Sequence, residues 1–148
     1  MKYYYINTDS RVREAPVATF DIWFQRGMAF AGDYSDDKGK HTTLFAKVEI
    51  GDILFMYHSG TGFVGVGEVE EKWDNKCYES LERWLYVEDM LEYRIKVRWF
   101  RDWRPEPKSA KKLDLPVSPY YFCVIDPGKW KVIDLVQNLR KEDRDAPQ

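Results

Sequence analysis

A chain of 148 residues with 44% hydrophobic content is long enough for one domain with a real core, and nothing in it suggests two. Its 23 basic and 25 acidic residues leave a net charge of −2, which argues against a uniformly basic nucleic-acid binder but leaves room for a local basic patch. Cys77 and Cys123 stand far apart, so neither a disulfide framework nor a zinc knuckle is suggested, and no apolar run approaches membrane-spanning length.

Tyr3 to Asn7 is short and aromatic and ends at the polar cluster Thr8-Asp9-Ser10, as a first strand would. Thr19 is placed to cap a helix whose Phe20, Trp23 and Phe24 share a face and which Gly27 ends. Met28 to Ala31 is a compact apolar run, followed by a polar loop from Gly32 to Lys40. Thr42 could cap a second short helix. Gly51 to Trp73, GDILFMYHSGTGFVGVGEVEEKW, reads as a hairpin: a buried strand, a polar Tyr57-His58-Ser59 end, a Gly-rich turn and a second strand. Gly65 and Gly67 on one face of that second strand mark a place where another chain, backbone or ligand lies close.

Beyond Trp73 the pattern loosens, and Tyr78 to Trp84 fits one or two helical turns. Tyr93 to Trp99 alternates Ile95 and Val97 with Arg94, Lys96 and Arg98, a half-exposed strand with a basic outer face. Four prolines and a Lys-rich piece make 101–119 a long loop, and Tyr120 to Ile125 returns as a strand. Asp126 and Pro127 then open a helix with Ile133, Val136 and Leu139, or Val132, Leu135 and Leu139, facing the core. Residues 1–140 form the expected domain and 141–148 a charged tail or linker. The class is α+β, a small mixed sheet of five or six strands closing toward a barrel with helices outside.

Several motifs invite chemistry. Gly60-Thr61-Gly62-Phe63-Val64-Gly65 matches the dinucleotide pattern Gly-x-Gly-x-x-Gly, but that mechanism needs a helix to open at the third glycine, and Val66 to Glu70 alternates as a strand. The glycines fit a hairpin turn better. Asp33-x-Ser35-x-Asp37 resembles a calcium loop but has Lys38 at the glycine position and Leu44 where the bidentate Glu belongs. His41 and His58 have no partner at zinc-ligand spacing. His58 with Cys77 or Ser59 could make a nucleophile pair, though no orienting acid or oxyanion hole is indicated. No cofactor is implied.

The aromatic share is 16%, with six Trp, ten Tyr and eight Phe, more rings than a core of this size usually takes. Trp99 and Trp103, interleaved with Arg98, Arg101 and Arg104 at a strand end, have the composition of a nucleic-acid contact.

The stretch Gly51-Asp52-Ile53-Leu54-Phe55-Met56-Tyr57-His58-Ser59, followed by Val64-Gly65-Val66-Gly67-Glu68-Val69, resembles the EVE domain of the PUA-like superfamily, a relative of the YTH domain. The resemblance runs loosely over nearly the whole chain. It implies a twisted β-barrel with outer helices and an aromatic pocket that takes a flipped or unpaired modified base. Many standalone EVE proteins carry a Trp and an Asn-Tyr-Gln stretch before the Gly-Asp strand. Here Asp33 and Lys38-Gly39-Lys40 occupy those places. In this the chain looks more like the EVE-type domains fused to modification-dependent restriction enzymes.

The expectation is therefore a non-catalytic, cytoplasmic reader of a modified base, methylated or hydroxymethylated cytosine in DNA, fused to an effector in a prokaryotic defence protein. Its base pocket would be Trp23, Phe30, Asp33, Tyr34, Tyr57, His58, Ser59, Trp99 and Trp103. Its phosphate contacts would be Lys38, Lys40, Arg101, Arg104 and Lys108. An RNA-binding PUA-like domain is the alternative within binding proteins, and a small-molecule sensor or a hydrolase using His58 the alternative of another class.

Overall fold

The computed structural model describes residues 1–8, 19–34, 45–79, 90–118 and 122–145. In chain order these form β1 (Tyr3–Asn7), α1 (Thr19–Arg26), β2 (Met28–Tyr34), β3 (Ile53–His58), β4 (Gly62–Glu71), β5 (Tyr78–Glu79), β6 (Met90–Asp102), α2 (Ala110–Leu113), β7 (Phe122–Val124) and α3 (Val132–Asp145). The strands make one mixed sheet in the order β2-β6-β4-β3-β1-β7, with β5 also paired to β6. Only β1 and β3 run parallel, Tyr3 opposite Ile53 through Asn7 opposite Tyr57; every other pairing is antiparallel. The class is α+β, as the alternation of patterns implied.

Strand alternation divides the apolar residues between two faces. Tyr4, Ile6, Leu54 and Met56 belong to the core that takes Ile22 and Trp23 of α1, together with Phe30, Phe45 and Phe122. Tyr3, Tyr5, Ile53 and Phe55 belong to the other core, closed by Val132, Val136 and Leu139 of α3. Part of the aromatic surplus is thereby absorbed: Tyr4, Tyr5, Phe30, Phe45, Phe55 and Phe63 are fully buried, so these rings are core and not pocket.

The Gly51-Asp52 opening of the hairpin motif has a structural role. Asp52 is 3% exposed, and its carboxylate accepts the backbone N–H of Lys2 at 2.9 Å and of Glu49 at 2.8 Å. It thus ties the start of β1 to the turn before β3. At the other end, Gly60 and Gly62 take φ of 77° and 113°, the turn the sequence predicted, and β4 continues directly from Gly62 with no helix. The dinucleotide motif is a hairpin turn. Val64 is the extra residue where Met56 pairs Gly65 and Tyr57 pairs Phe63, and its carbonyl accepts from Trp103 N at 2.8 Å.

Three elements differ from the sequence reading. Tyr78–Glu79 is a short strand on β6 where helical turns were expected. After Asp126 comes a turn, with Gly128 N bonded to the Asp126 side chain at 2.8 Å, and α3 starts only at Val132. The charged run taken for a tail continues α3 to Asp145, because Arg101 reaches the Leu139 carbonyl and Asp143 and holds the last turns down. The second helix expected from Thr42 and the acidic Asp33-x-Ser35-x-Asp37 loop extend into residues outside those described.

Candidate nucleic-acid interface

The polar end of the hairpin lies beside the end of β1, since the two strands are parallel and in register. Alternation separates its three residues. His58 turns toward α1: its ring meets Phe20 edge-on at 5.0 Å, and Nδ1 is 3.0 Å from Thr8 Oγ1. Tyr57 turns the other way, against Tyr5 at 5.3 Å and Phe63 at 5.0 Å. Ser59 Oγ accepts from Asn7 Nδ2 at 3.3 Å, on the side where Asn7 also lies 3.5 Å from the Tyr5 hydroxyl. Tyr57, His58 and Ser59 therefore do not share one pocket wall.

The Thr8 hydroxyl is 2% exposed as part of its residue and donates to Tyr57 O at 3.2 Å. The Thr8 hydroxyl thus sits between the Tyr57 carbonyl and the His58 ring and ties the end of β1 to the end of β3.

Next along α1, Phe24 lies over Gly65, where an added Cβ would stand 2.6 Å from Phe24 Cζ. Arg104 stacks on the outer face of Phe24 at 4.2 Å and bonds to Asp21 at 2.8 Å and to Asp102 at 2.9 Å and 2.6 Å. The Arg104 hydrogen bonds hold the Asp102 carboxyl below the usual carboxylate range, and the Asp102 and Asp21 partners raise the guanidinium in turn. Phe20 and Phe24, one helical turn apart and both half-buried, form an aromatic edge with His58 at one end and Arg104 at the other. Phe20, Phe24, Thr8 and Asn7 were not among the predicted site residues. The signal was present for all four, in the helix face shared with Trp23 and in the polar end of the first strand.

Most other expected residues are placed elsewhere. Trp23 at 1% and Phe30 at 0% exposure pack against each other at 5.8 Å, so the expectation that they stack on a base is corrected: the core uses both rings. Trp99 lies against Trp23 and Phe24, its Nε1 donating to the Trp23 and Met28 carbonyls at 3.1 Å and 3.2 Å. Trp103 packs against the opposite core, so the two indoles do not flank one surface. Arg101 is committed to α3 and Arg104 to two carboxylates, which corrects both as free phosphate contacts. Lys108 bonds through its backbone to Phe63, at 2.8 Å and 3.0 Å, closing the Pro-rich segment onto the hairpin. Asp33 and Tyr34 pair with Leu91 and Met90 at the start of β6, whereas the β3–β4 turn lies toward its end at Asp102. These two residues thus occupy the opposite end of the sheet from His58. Lys38 and Lys40 lie outside the described residues.

Hydrolytic chemistry finds little here. His58 pairs Gly62 at the start of β4, and Cys77 follows the end of that strand, so the two are at opposite ends of ten residues of extended chain. Among the described residues no group of His, Cys, Asp or Glu could hold a metal ion, and no helix is long and apolar enough to cross a membrane.

The curled α+β sheet with its outer helices is similar in fold to solved YTH domains. No protein-family model and no curated protein matches the sequence. Solved structures do match over nearly the whole chain. The Pho92 YTH domain in complex with m6A aligns with a TM-score of 0.54 at 16% identity, over 93% of this chain and 85% of that one. The Toxoplasma CPSF4 YTH domain in complex with a 7-mer m6A-modified RNA aligns at 0.53 and 13%, over 89% and 87%. Protein Atu2648 from Agrobacterium tumefaciens aligns at 0.53 and 15%, over 94% and 93%. At these identities the likeness is one of fold.

Proposed function

We propose that this chain is a non-catalytic domain that binds nucleic acid by reading a modified base. The observation that carries the reading is the full-length likeness to YTH domains, two of them solved with m6A-containing ligands. Phe20, half-buried at the His58 end of α1, offers a stacking ring of the kind such a reader needs, whereas Phe24 is covered by Arg104 and Gly65. Extracting a base costs a few kcal/mol, stacking returns roughly 1–3 kcal/mol per base, and a buried methyl adds about 1 kcal/mol.

In its specific form the proposal follows the EVE-type resemblance: methylated or hydroxymethylated cytosine in DNA, read by the recognition module of a cytoplasmic prokaryotic defence protein. The RNA neighbour favours a second form, a methylated adenine in unpaired RNA. A panel of duplexes carrying methylcytosine, hydroxymethylcytosine or methyladenine, with matched single-stranded RNAs and unmodified controls, separates them. Comparing Phe20→Ala with Asp33→Ala on the best ligand locates the base. Loss of discrimination in the first alone places it at α1, and loss in the second alone places it at the far end of β2.

A further inference from the structure

An open, charged recess lies on the other side of the sheet from His58. It is a groove of about 770 Å³ between α3 and the strands β4 and β6, lined by Glu68, Arg98, Arg140, Lys141, Asp143 and Arg144, with the Gln137 and Asn138 amides. Glu68 and Arg98 are cross-strand partners whose side chains point away from α1, because the neighbours Gly67, Val97 and Trp99 pack on that side. The helix supplies the other wall. Its apolar side, Val132, Val136 and Leu139, is buried against the sheet, which turns 137, 138, 141 and 144 outward.

Four cations face two carboxylates in this groove, an excess of positive charge in a chain whose total is −2. The pairing is uneven. Arg98 bonds to Glu68 Oε2 at 2.8 Å, and Asp143 is taken by Arg101. Arg140 Nη2 is buried 3.4 Å from Glu68 Oε1 yet makes no hydrogen bond. Lys141 and Arg144 form no ion pair among the described residues. A helix C-terminus favours a cation in its last turn, which accounts for Arg144 but not for Arg140, Lys141 and Arg98 converging on it. From Arg98 the same sheet face continues through Lys96 and Arg94, at strand steps of about 6.6 Å per two residues. Those two line a second recess of about 220 Å³ with Lys72, but Glu71 and Asp74 stand there too and Lys96 is shared between Glu70 and Glu71, so the excess of positive charge is confined to the groove beside α3.

We infer that this groove binds the sugar-phosphate backbone of a nucleic acid strand, with Arg140, Lys141 and Arg144 on phosphate oxygens and the Gln137 and Asn138 amides as further donors. A polyanion fits the uneven pairing: it neutralises the cations that Glu68 and Asp143 leave over, and guanidinium groups grip phosphate in a forked geometry. The inference rests on the nucleic-acid reading above, but uses none of the residues assigned to the base.

The test is the double variant Lys141→Gln/Arg144→Gln, whose substituted side chains are exposed, so it should fold as the parent does, with its melting temperature lowered only by the lost helix-end contribution of Arg144. Binding of a labelled unmodified strand and of its modified counterpart is followed from about 50 to 200 mM salt. Loss of two phosphate contacts lowers the slope of log K against log salt by about 1.4–1.8 and weakens both ligands equally. Glu68→Gln should do the opposite and tighten both. An unchanged slope in the double variant overturns the groove, even if base discrimination is present. A reduced slope in a protein that never discriminates modified from unmodified strands upholds the groove and sinks the base-reading proposal. Capture of an acidic peptide at these residues, with nucleic-acid binding indifferent to them, also overturns the inference.

Discussion

Trp99 packs against the bare backbone of Gly67: a Cβ built on that glycine would be 2.6 Å from Trp99 Cε3 and 2.3 Å from Val97 Cγ1. The close approach that the glycine spacing signalled is therefore made by the protein's own aromatic rings, Trp99 over Gly67 and Phe24 over Gly65. Both glycines are packing devices that let α1 and β6 sit tightly on the hairpin. Gly67→Ala should destabilise the fold by about 1–3 kcal/mol through overpacking, measured by urea denaturation, because both neighbours are fixed in the core.

That relationship shows what could be read in advance. The hairpin, the first strand, the α1 boundaries and the basic alternation of β6 were legible, because period and turn chemistry are local. The glycine pair was legible as a place of contact but not as to its occupant, since nothing local says which ring arrives from a remote part of the chain. The same limit misplaced Trp23 and Phe30, which composition alone could not separate from surface rings. Arg101 and Arg104 looked like free cations because Asp143 and Asp21, which pair with them, are remote in sequence. Tyr57 to Ser59 looked like one site because adjacency hides the strand alternation that sends Tyr57 and His58 to opposite faces.

Tyr4 carries a buried hydroxyl with no hydrogen-bond partner among the described residues. Burial, and then the carboxylates of Asp52 and Glu49, push its pKa up to about 12. An unmade hydrogen bond is a cost, so Tyr4→Phe should stabilise the fold by about 1 kcal/mol. The sign with pH follows from the neutral form being favoured in the folded state. The contribution is complete below the unfolded value near 10 and is lost as pH rises toward 12. Parent stability should fall across that window, and the Tyr4→Phe protein should lack that component of the fall.

Arg104 fastens α1 to the end of β6 through Asp21, Asp102 and the face of Phe24. Arg104→Ala should cost about 1 kcal/mol, as expected of a partly exposed pair with a cation–π contact. Because Asp102 is held below the usual carboxylate range, its contribution is present above the unfolded pKa of about 3.9 and disappears as pH falls further. Thermal melts between neutral pH and pH 3 should therefore fall less steeply in the variant.

Thr8 is hydrogen-bonded to the His58 ring. Thr8→Val keeps the shape but removes the hydroxyl that bridges Tyr57 O and Nδ1. The expected cost is about 1–2 kcal/mol, with a shift of the His58 ring-nitrogen NMR resonances. Ring resonances identical to those of the parent would show that Thr8 does not bond to the ring.

The central claim is that a modified base is read at the aromatic edge of α1. Its most direct measurement is the affinity of the intact chain for one strand with and without the modification, at fixed salt, in the parent and in Phe20→Ala. The account predicts a preference of about fivefold or more for the modified strand, as one buried methyl implies, and its collapse toward unity in Phe20→Ala with residual salt-dependent binding retained. Equal affinity for modified and unmodified strands across the whole panel, in a protein that is folded, would contradict it.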